Sequence, residues 1–201
     1  CTNALPATLP ITVYPEVVAD YTLQIDSICS PTGVTVTNNS LNGTDFTWTF
    51  TPTAGAPINV NRVKTDGPFS QLLPNAAPSE SNLVYKVGLA ARTDHRDGGG
   101  NILITCPSTA PTRTVTVAPE LSLNMIPNET ALCSDAQITF TNQSTGGNLS
   151  FAWDFDDGTT ASSIGSEAAK PSVLHAFTNL NATDVIRNVL VTATNANGCV
   201  R

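Results

Sequence analysis

The chain has 201 residues, 16 acidic against 9 basic, a formal net charge of −7 and only 12% charged residues. That is about half the usual charged share, with Thr, Ser and Asn in its place, and the lack of any Lys/Arg cluster removes the electrostatic footprint of a nucleic-acid or anionic-membrane binder. No apolar run approaches the ~20 residues a spanning helix needs, so neither nucleic acid nor direct membrane insertion is expected.

Taken in chain order, short runs of alternating apolar and polar residues recur: Val34-Thr35-Val36-Thr37, Phe46-Thr47-Trp48-Thr49-Phe50, Val115-Thr116-Val117 and Ile138-Thr139-Phe140. Period-two runs bounded by Asn, Gly, Pro and Ser are half-buried strands separated by turns. Helical periodicity is scarce, and only 163–169 could hold a short helical turn. Many short strands with a Trp in a middle strand predict an all-β chain of antiparallel, immunoglobulin-like β-sandwiches.

The chain also repeats itself. Val13-Tyr14-Pro15-Glu16 returns 104 residues later as Val117-Ala118-Pro119-Glu120, Cys29 returns as Cys133, and Asn38-Asn39-Ser40 returns as Asn142-Gln143-Ser144. With one inserted residue, Thr47-Trp48-Thr49-Phe50 aligns with Ala152-Trp153-Asp154-Phe155. Repetition at a fixed period is the signature of modular arrays, and the expected organisation is a head-to-tail rod. Residues 15–118 form one module and 119–201 a second. By the same alignment 1–14 would be the final strand of a preceding module, and the second module would stop before its own final strand. A lone strand of that kind leaves an edge that proteins normally cover, so 1–14 would pair either with a neighbouring module or with the open edge of another copy.

Phe151-Ala152-Trp153-Asp154-Phe155-Asp156-Asp157-Gly158, then Pro171, His175, Phe177 and 189–199, resemble the PKD domain family, whose pattern reads approximately WDFGDG, PxHxY and VxLxVTNxxG. The second module departs from it at Asp156, where the family has glycine. The first module keeps Trp48 and Phe50 but lacks the acidic turn. The resemblance implies immunoglobulin-like sandwiches at cell surfaces or in secreted enzymes, acting as spacers or adhesive modules. Cysteine-bearing PKD repeats in Thr/Asn-rich arrays are similar to those of very large Bacteroidota surface adhesins of the SprB type, used in gliding motility.

Five cysteines without a CxxC pair or a nearby His fit disulfides outside the cytoplasm better than a metal site. Within an immunoglobulin-like order, Cys29 precedes the strand at 34–38 and Cys106 follows the strand at 83–91. These two strands run in the same direction, so the cysteines lie at opposite ends. A strand of six residues separates its ends by about 20 Å, whereas bridged Cα atoms lie within about 7 Å. The intradomain pairs Cys29–Cys106 and Cys133–Cys199 are therefore less favoured than an interdomain bridge Cys29–Cys199, with Cys106 and Cys133 serving neighbouring modules.

Other candidates are set against plainer roles. Asp154, Asp156 and Asp157 gather three carboxylates that could ligate Ca²⁺, against an ordinary hydrogen-bonded turn; no other cofactor is expected. Asp94, His95, Arg96 and Asp97 lie in an insertion found only in the first module, a candidate recognition loop or a mobile hairpin tip. His175 reads as structural, and Trp48 and Trp153 as core aromatics rather than carbohydrate platforms. Six Asn-x-Ser/Thr sequons exceed chance too little to argue N-glycosylation, and Asp26-Ser27-Ile28 resembles an O-glycan acceptor of Bacteroidota. No nucleophile recurs with an adjacent base, so enzymatic activity is not expected.

The expected role is a structural and adhesive stalk segment of a large repetitive protein, extracellular and at the cell surface. Its partners would be neighbouring modules of the same protein, with any extracellular polysaccharide or surface ligand met through other regions. The alternative is a spacer or substrate-binding accessory module of a secreted hydrolase.

Overall fold

A computed structural model describes residues 9–25, 27–76, 81–165 and 170–201. Over these residues the chain is all-β and contains no helix. The first eight strands are β1 (Tyr21–Ile25), β2 (Thr32–Asn38), β3 (Asp45–Pro52), β4 (Ile58–Val63), β5 (Phe69–Leu73), β6 (Leu83–Arg96), β7 (Ile102–Thr109) and β8 (Arg113–Val117). They form two antiparallel sheets, β1-β2-β5 and β4-β3-β6-β7, with β8 also paired to β6. The remaining strands are β9 (Met125–Pro127), β10 (Gln137–Asn142), β11 (Leu149–Asp154), β12 (Thr160–Gly165), β13 (Val173–Ala176) and β14 (Leu190–Asn195). These give two further antiparallel sheets, β13-β10-β9 and β12-β11-β14. This is immunoglobulin-like sandwich order: each half places one sheet around its second strand and another around its Trp-bearing strand.

The alternation in the sequence sets which face is buried. On β3, Phe46, Trp48 and Phe50 point inward at 3% exposure or less, while Thr47 and Thr49 face outward or lie half-buried. On β11, Leu149, Phe151 and Trp153 do the same. Each large apolar side chain buried in this way contributes about 1.5–3 kcal/mol. The buried residues form two separate cores, one drawn from Val17 to Val117 and one from Leu121 to Ala193.

In the first core, Trp48 meets Tyr21 edge-on at 5.1 Å and Phe69 at 5.7 Å. Tyr21 is fully buried, and its hydroxyl donates to the Val87 carbonyl at 2.6 Å and accepts from the Arg113 N–H at 3.1 Å. The ring thereby ties β1 to the facing sheet at no cost in unsatisfied polar groups. The second core stacks Trp153 on Phe155 at 5.8 Å beside Phe140, and the Trp153 indole N–H is buried with no hydrogen-bond partner among the described residues.

The two halves repeat each other in hydrogen bonding as well as in order. Asn38 Oδ1 accepts from the Ser40 N–H and Ser40 Oγ accepts from the Asp20 N–H; Asn142, Ser144 and Asn124 make the same two bonds. The Asn-x-Ser pair that marks the repeat is thus an Asx turn holding the strand entry. Asn142 is only 5% exposed, which excludes it as a glycan acceptor in the folded chain.

Two expectations need correcting. Residues 163–165 are extended within β12, where Ser163 pairs with Phe151, so no helical turn begins there; 166–169 lie outside the described residues. The insertion at 94–97 is not a free loop. Asp94, His95 and Arg96 belong to β6, paired with Thr105, Ile104 and Ile102 on β7, and only 97–101 form the tip. Residues 1–8 and Asp26, with the glycan pattern it begins, also lie outside the described residues.

Candidate functional site: the stapled junction

Cys29, just ahead of β2, is bonded to Cys199, just beyond β14, with a Cα–Cα distance of 5.6 Å across a sequence separation of 170. The bridge therefore joins one core's strands to the other's. Cys106 and Cys133 carry free thiols, the first half-buried and the second exposed. The intradomain pairs are absent.

Local sequence presents each partner. Asn195, 6% exposed, uses Oδ1 to accept from the backbone N–H groups of Asn197 and Cys199, both at 3.0 Å, and Gly198 takes a φ of 81° that a side chain would resist. The result is a tight Asn195–Cys199 turn that holds Cys199 at 6% exposure. On the other side, Ser27 Oγ accepts from the Cys29 N–H at 3.0 Å, and the hydroxyl of Thr32, itself 1% exposed, donates to the Ser27 carbonyl.

Around the bridge lies a set of polar contacts. Asn75, 6% exposed, donates its N–H to Ser30 Oγ at 2.8 Å and its Nδ2 to the carbonyls of Ser81 at 2.9 Å and Val117 at 3.0 Å. The Asn75 carbonyl accepts from the Glu120 N–H at 2.9 Å, and the Ile28 carbonyl from the Ala118 N–H at 2.6 Å. The connection Ala118-Pro119-Glu120 is thus bound to the first half at both ends. On the second half, a Cβ on Gly146 would sit 2.8 Å from the Leu121 Cα and 2.9 Å from the Glu120 carbonyl, so the connection also packs closely there. Asn82 and Asn197 exchange side-chain amide hydrogen bonds across the junction at 3.4 and 3.1 Å.

A disulfide, reciprocal amide pairing and a bound three-residue connection oppose hinge motion. The chemistry on offer is mechanical. Sequence reasoning identified the bridge but missed Ser30, Asn75, Asn82, Asn197 and Gly146. The repeat did carry a signal for two of them, since Ser30 and Asn75 return 104 residues on as Ser134 and Asn179.

The other candidates resolve differently. Asp154 Oδ1 accepts from the Asp156 N–H at 3.0 Å, and Asp156 Oδ2 from the Asn188 N–H at 3.0 Å. Asp157 accepts the Thr159 N–H and hydroxyl on Oδ1 and faces His175 Nε2 at 2.8 Å on Oδ2. These carboxylates are spent on separate backbone and side-chain partners. Among the described residues no three acidic, His or Cys side chains converge to hold a metal, Asp154, Asp156 and Asp157 included. Asp156 itself sits at φ 56°, the left-handed region that glycine favours and Asp tolerates.

The Thr159 hydroxyl, then the His175 ring, hold the Asp157 carboxyl down at about 2. His175 stacks on Phe155 at 3.8 Å with rings 4° apart, bracing the turn against the second core. At the 94–97 insertion, Asp97 closes the hairpin tip by accepting from Gly99 and Asn101, and its carboxyl is lowered first by Asn101. His95 stacks on Tyr14 at 3.7 Å, so it faces the entering chain. Trp48 and Trp153 lie inside the cores at 1% and 2% exposure.

Neither a scan against protein-family models nor a search of the curated proteins finds a match to this chain. The fold and the junction define an all-β, disulfide-stapled chain of immunoglobulin-like sandwich order.

Proposed function

We propose that this chain is a structural and adhesive stalk segment of a large repetitive cell-surface protein, a rod of PKD-like modules that holds a distal binding region away from the cell, as in surface attachment or gliding. The observation that carries this reading is the Cys29–Cys199 bridge. A disulfide placed between two cores rather than inside either one restricts bending, and stiffness with reach is what a stalk requires. Its cysteines stand at repeated positions, so the same staple can recur at every junction of an array. The bridge also fits an oxidising, extracellular setting. The partners in this reading are neighbouring modules, and ligand recognition belongs to other regions.

Small-angle scattering on oxidised chain and on the Cys29→Ser/Cys199→Ser double variant tests the mechanics. The oxidised chain should show a single narrow distribution of overall dimensions, and the variant a broader one; equal distributions would sink the staple's role. An antibody against the chain tests location. It should label intact cells of the source organism, and labelling only after lysis would reject the surface stalk.

A further inference from the structure

We propose that residues 9–16 are a donor strand that completes the second half of another copy of this chain, and that the resulting contact is sealed by a Cys133–Cys106 disulfide between copies. This goes beyond the stalk reading and does not depend on it.

The donor is held at its C-terminal end, where Tyr14 stacks on His95 and the Glu16 carbonyl accepts from Asn42 Nδ2, but its apolar face is uncovered. Leu9, Ile11 and Val13 alternate with Pro10 and Thr12 and are 86%, 85% and 87% exposed, and 9–16 make no strand pairing among the described residues. Ile11-Thr12-Val13-Tyr14-Pro15-Glu16 matches Val115-Thr116-Val117-Ala118-Pro119-Glu120 residue for residue at Thr, Val, Pro and Glu. In the second of these segments Val115, Val117 and Ala118 are fully buried. The same pattern is therefore covered at one site and naked at the other.

The acceptor is the place equivalent to the one β8 fills. Trp48 pairs with Leu89 and Trp153 with Val191, which makes 185–189 the counterpart of Leu83 to Val87, where β8 lies. Along 185–189 the described residues carry no partner strand, and an open groove of about 920 Å³ runs there, floored by Ile138, Phe140, Phe177, Val185 and Val189. Ile186 stands 85% exposed at its edge. Transferring the β6–β8 register places Val13 opposite Val185, Ile11 opposite Arg187 and Leu9 opposite Val189.

The polar groups of the acceptor match as well. Asn179 repeats Asn75: its N–H donates to Ser134 Oγ at 2.9 Å and its Nδ2 to the Thr183 carbonyl at 3.0 Å. Asn75 makes one bond more, to the Val117 carbonyl, and Val13 supplies the counterpart of that carbonyl. Likewise the Ile28 carbonyl bonds the Ala118 N–H and the Asn75 carbonyl the Glu120 N–H; Leu132 and Asn179 offer the same carbonyls to Tyr14 and Glu16. Ser30 is 7% exposed under this cover, whereas its counterpart Ser134 is exposed.

Docking in this register recreates the stapled junction between two chains. Cys133 is the counterpart of Cys29. Cys106, paired with Thr93, is the counterpart of Cys199, whose carbonyl accepts from the Asn195 N–H at the position matching Thr93. Both are free thiols. With a small-molecule disulfide as oxidant, the Cys133 and Cys106 thiols become one protein disulfide. The oxidant takes the two electrons and two protons and leaves as two small thiols. The β6–β7 arm beyond Arg92 carries Ile102, Leu103 and Ile104 at 49–60% exposure and would flank the acceptor.

The test uses the full chain carrying Cys1→Ser, which leaves four cysteines to map, as a mixture of ¹⁴N and ¹⁵N copies in oxidised glutathione. Sedimentation should show concentration-dependent association, and non-reducing peptide mapping should recover Cys106 linked to Cys133 in mixed-isotope pairs. The Ile11→Asp/Val13→Asp variant changes only exposed side chains, so its circular dichroism should match the parent. Burying two carboxylates in the groove should weaken association by at least about 100-fold. Monomers at millimolar concentration with both thiols free would overturn the proposal, as would Cys106–Cys133 linkage that survives the aspartates.

Discussion

Asn195 holds Cys199 in place: its Oδ1 accepts the Cys199 N–H and the Asn197 N–H at once, both at 3.0 Å, from a side chain 6% exposed. At the matching position of the first half stands Thr93, whose hydroxyl instead donates to the Asn42 carbonyl at 2.5 Å. With its hydroxyl engaged at Asn42, Thr93 closes no such turn, and there the chain runs on into the long β6–β7 arm. Asn195→Ala leaves two N–H groups of the turn unpaired, one of them on buried Cys199, and should cost about 1–3 kcal/mol. The loosened turn should also expose the bridge, so that dithiothreitol reduces Cys29–Cys199 faster than in the parent. An unchanged reduction rate, followed by thiol titration, would show that Asn195 does not position Cys199.

Asn75 and Asn179 make the same two local hydrogen bonds, yet only Asn75 is buried beneath a strand end and bonded to it. Asn75→Ala strips partners from the buried Val117 carbonyl and from the Ser81 carbonyl, and should cost about 1–3 kcal/mol. Asn179→Ala, at a half-buried site, should cost under about 1 kcal/mol. Urea unfolding of the two variants gives the comparison; equal costs would mean that the Val117 contact contributes little to the junction.

Much of this was legible in the sequence because the signals were local or repeated. Alternation on 46–50 and 138–140 marks the strands and their inward faces. The recurrence of Cys29 as Cys133, combined with strand direction, separates Cys29 from Cys106. What stayed hidden depends on distant partners. Asn75 reads as a turn residue after Pro74, and nothing nearby says that its amide meets carbonyls at 81 and 117. Asp94-His95-Arg96 reads as loop because it is polar and charged, but pairing with 102–105 supplies the backbone hydrogen bonds that make it strand. The three aspartates read as one acidic cluster, and only the fold shows that each carboxylate has its own donor.

Asp157 sets an acid limit on the second half. Its carboxyl sits at about 2 in the folded chain against an ordinary 3.8, because the Thr159 hydroxyl and then His175 favour the ionised form. A folded value below the unfolded one means stability that is complete above 3.8 and lost as the pH falls through about 2. Asp157→Asn should lower the melting temperature at neutral pH and converge with the parent near pH 2. Parallel acid limbs in parent and variant would show that another group controls the transition.

Gly146 tests whether the connection between the halves is held by close packing as well as by the bridge. Its φ is 125°, which L side chains rarely adopt, and an added Cβ would lie 2.8 Å from the Leu121 Cα and 2.9 Å from the Glu120 carbonyl. Both contacts are to backbone, so no flexible side chain can swing aside. The corresponding residue of the first half is Asn42, which reaches φ 57° and donates Nδ2 to the Glu16 carbonyl at 2.8 Å. Each half thus secures its entering chain at this turn, one by a hydrogen bond and one by close approach. Gly146→Ala should cost at least about 1–3 kcal/mol from backbone strain alone, with the collision adding to it. The displaced connection should also become more sensitive to proteolysis near 118–121. Gly43→Ala is the control: there a Cβ meets mainly the Phe46 ring edge at 2.7 Å and leaves the entering chain alone. If limited proteolysis cuts near 118–121 equally in both variants, close packing at Gly146 does not hold the connection.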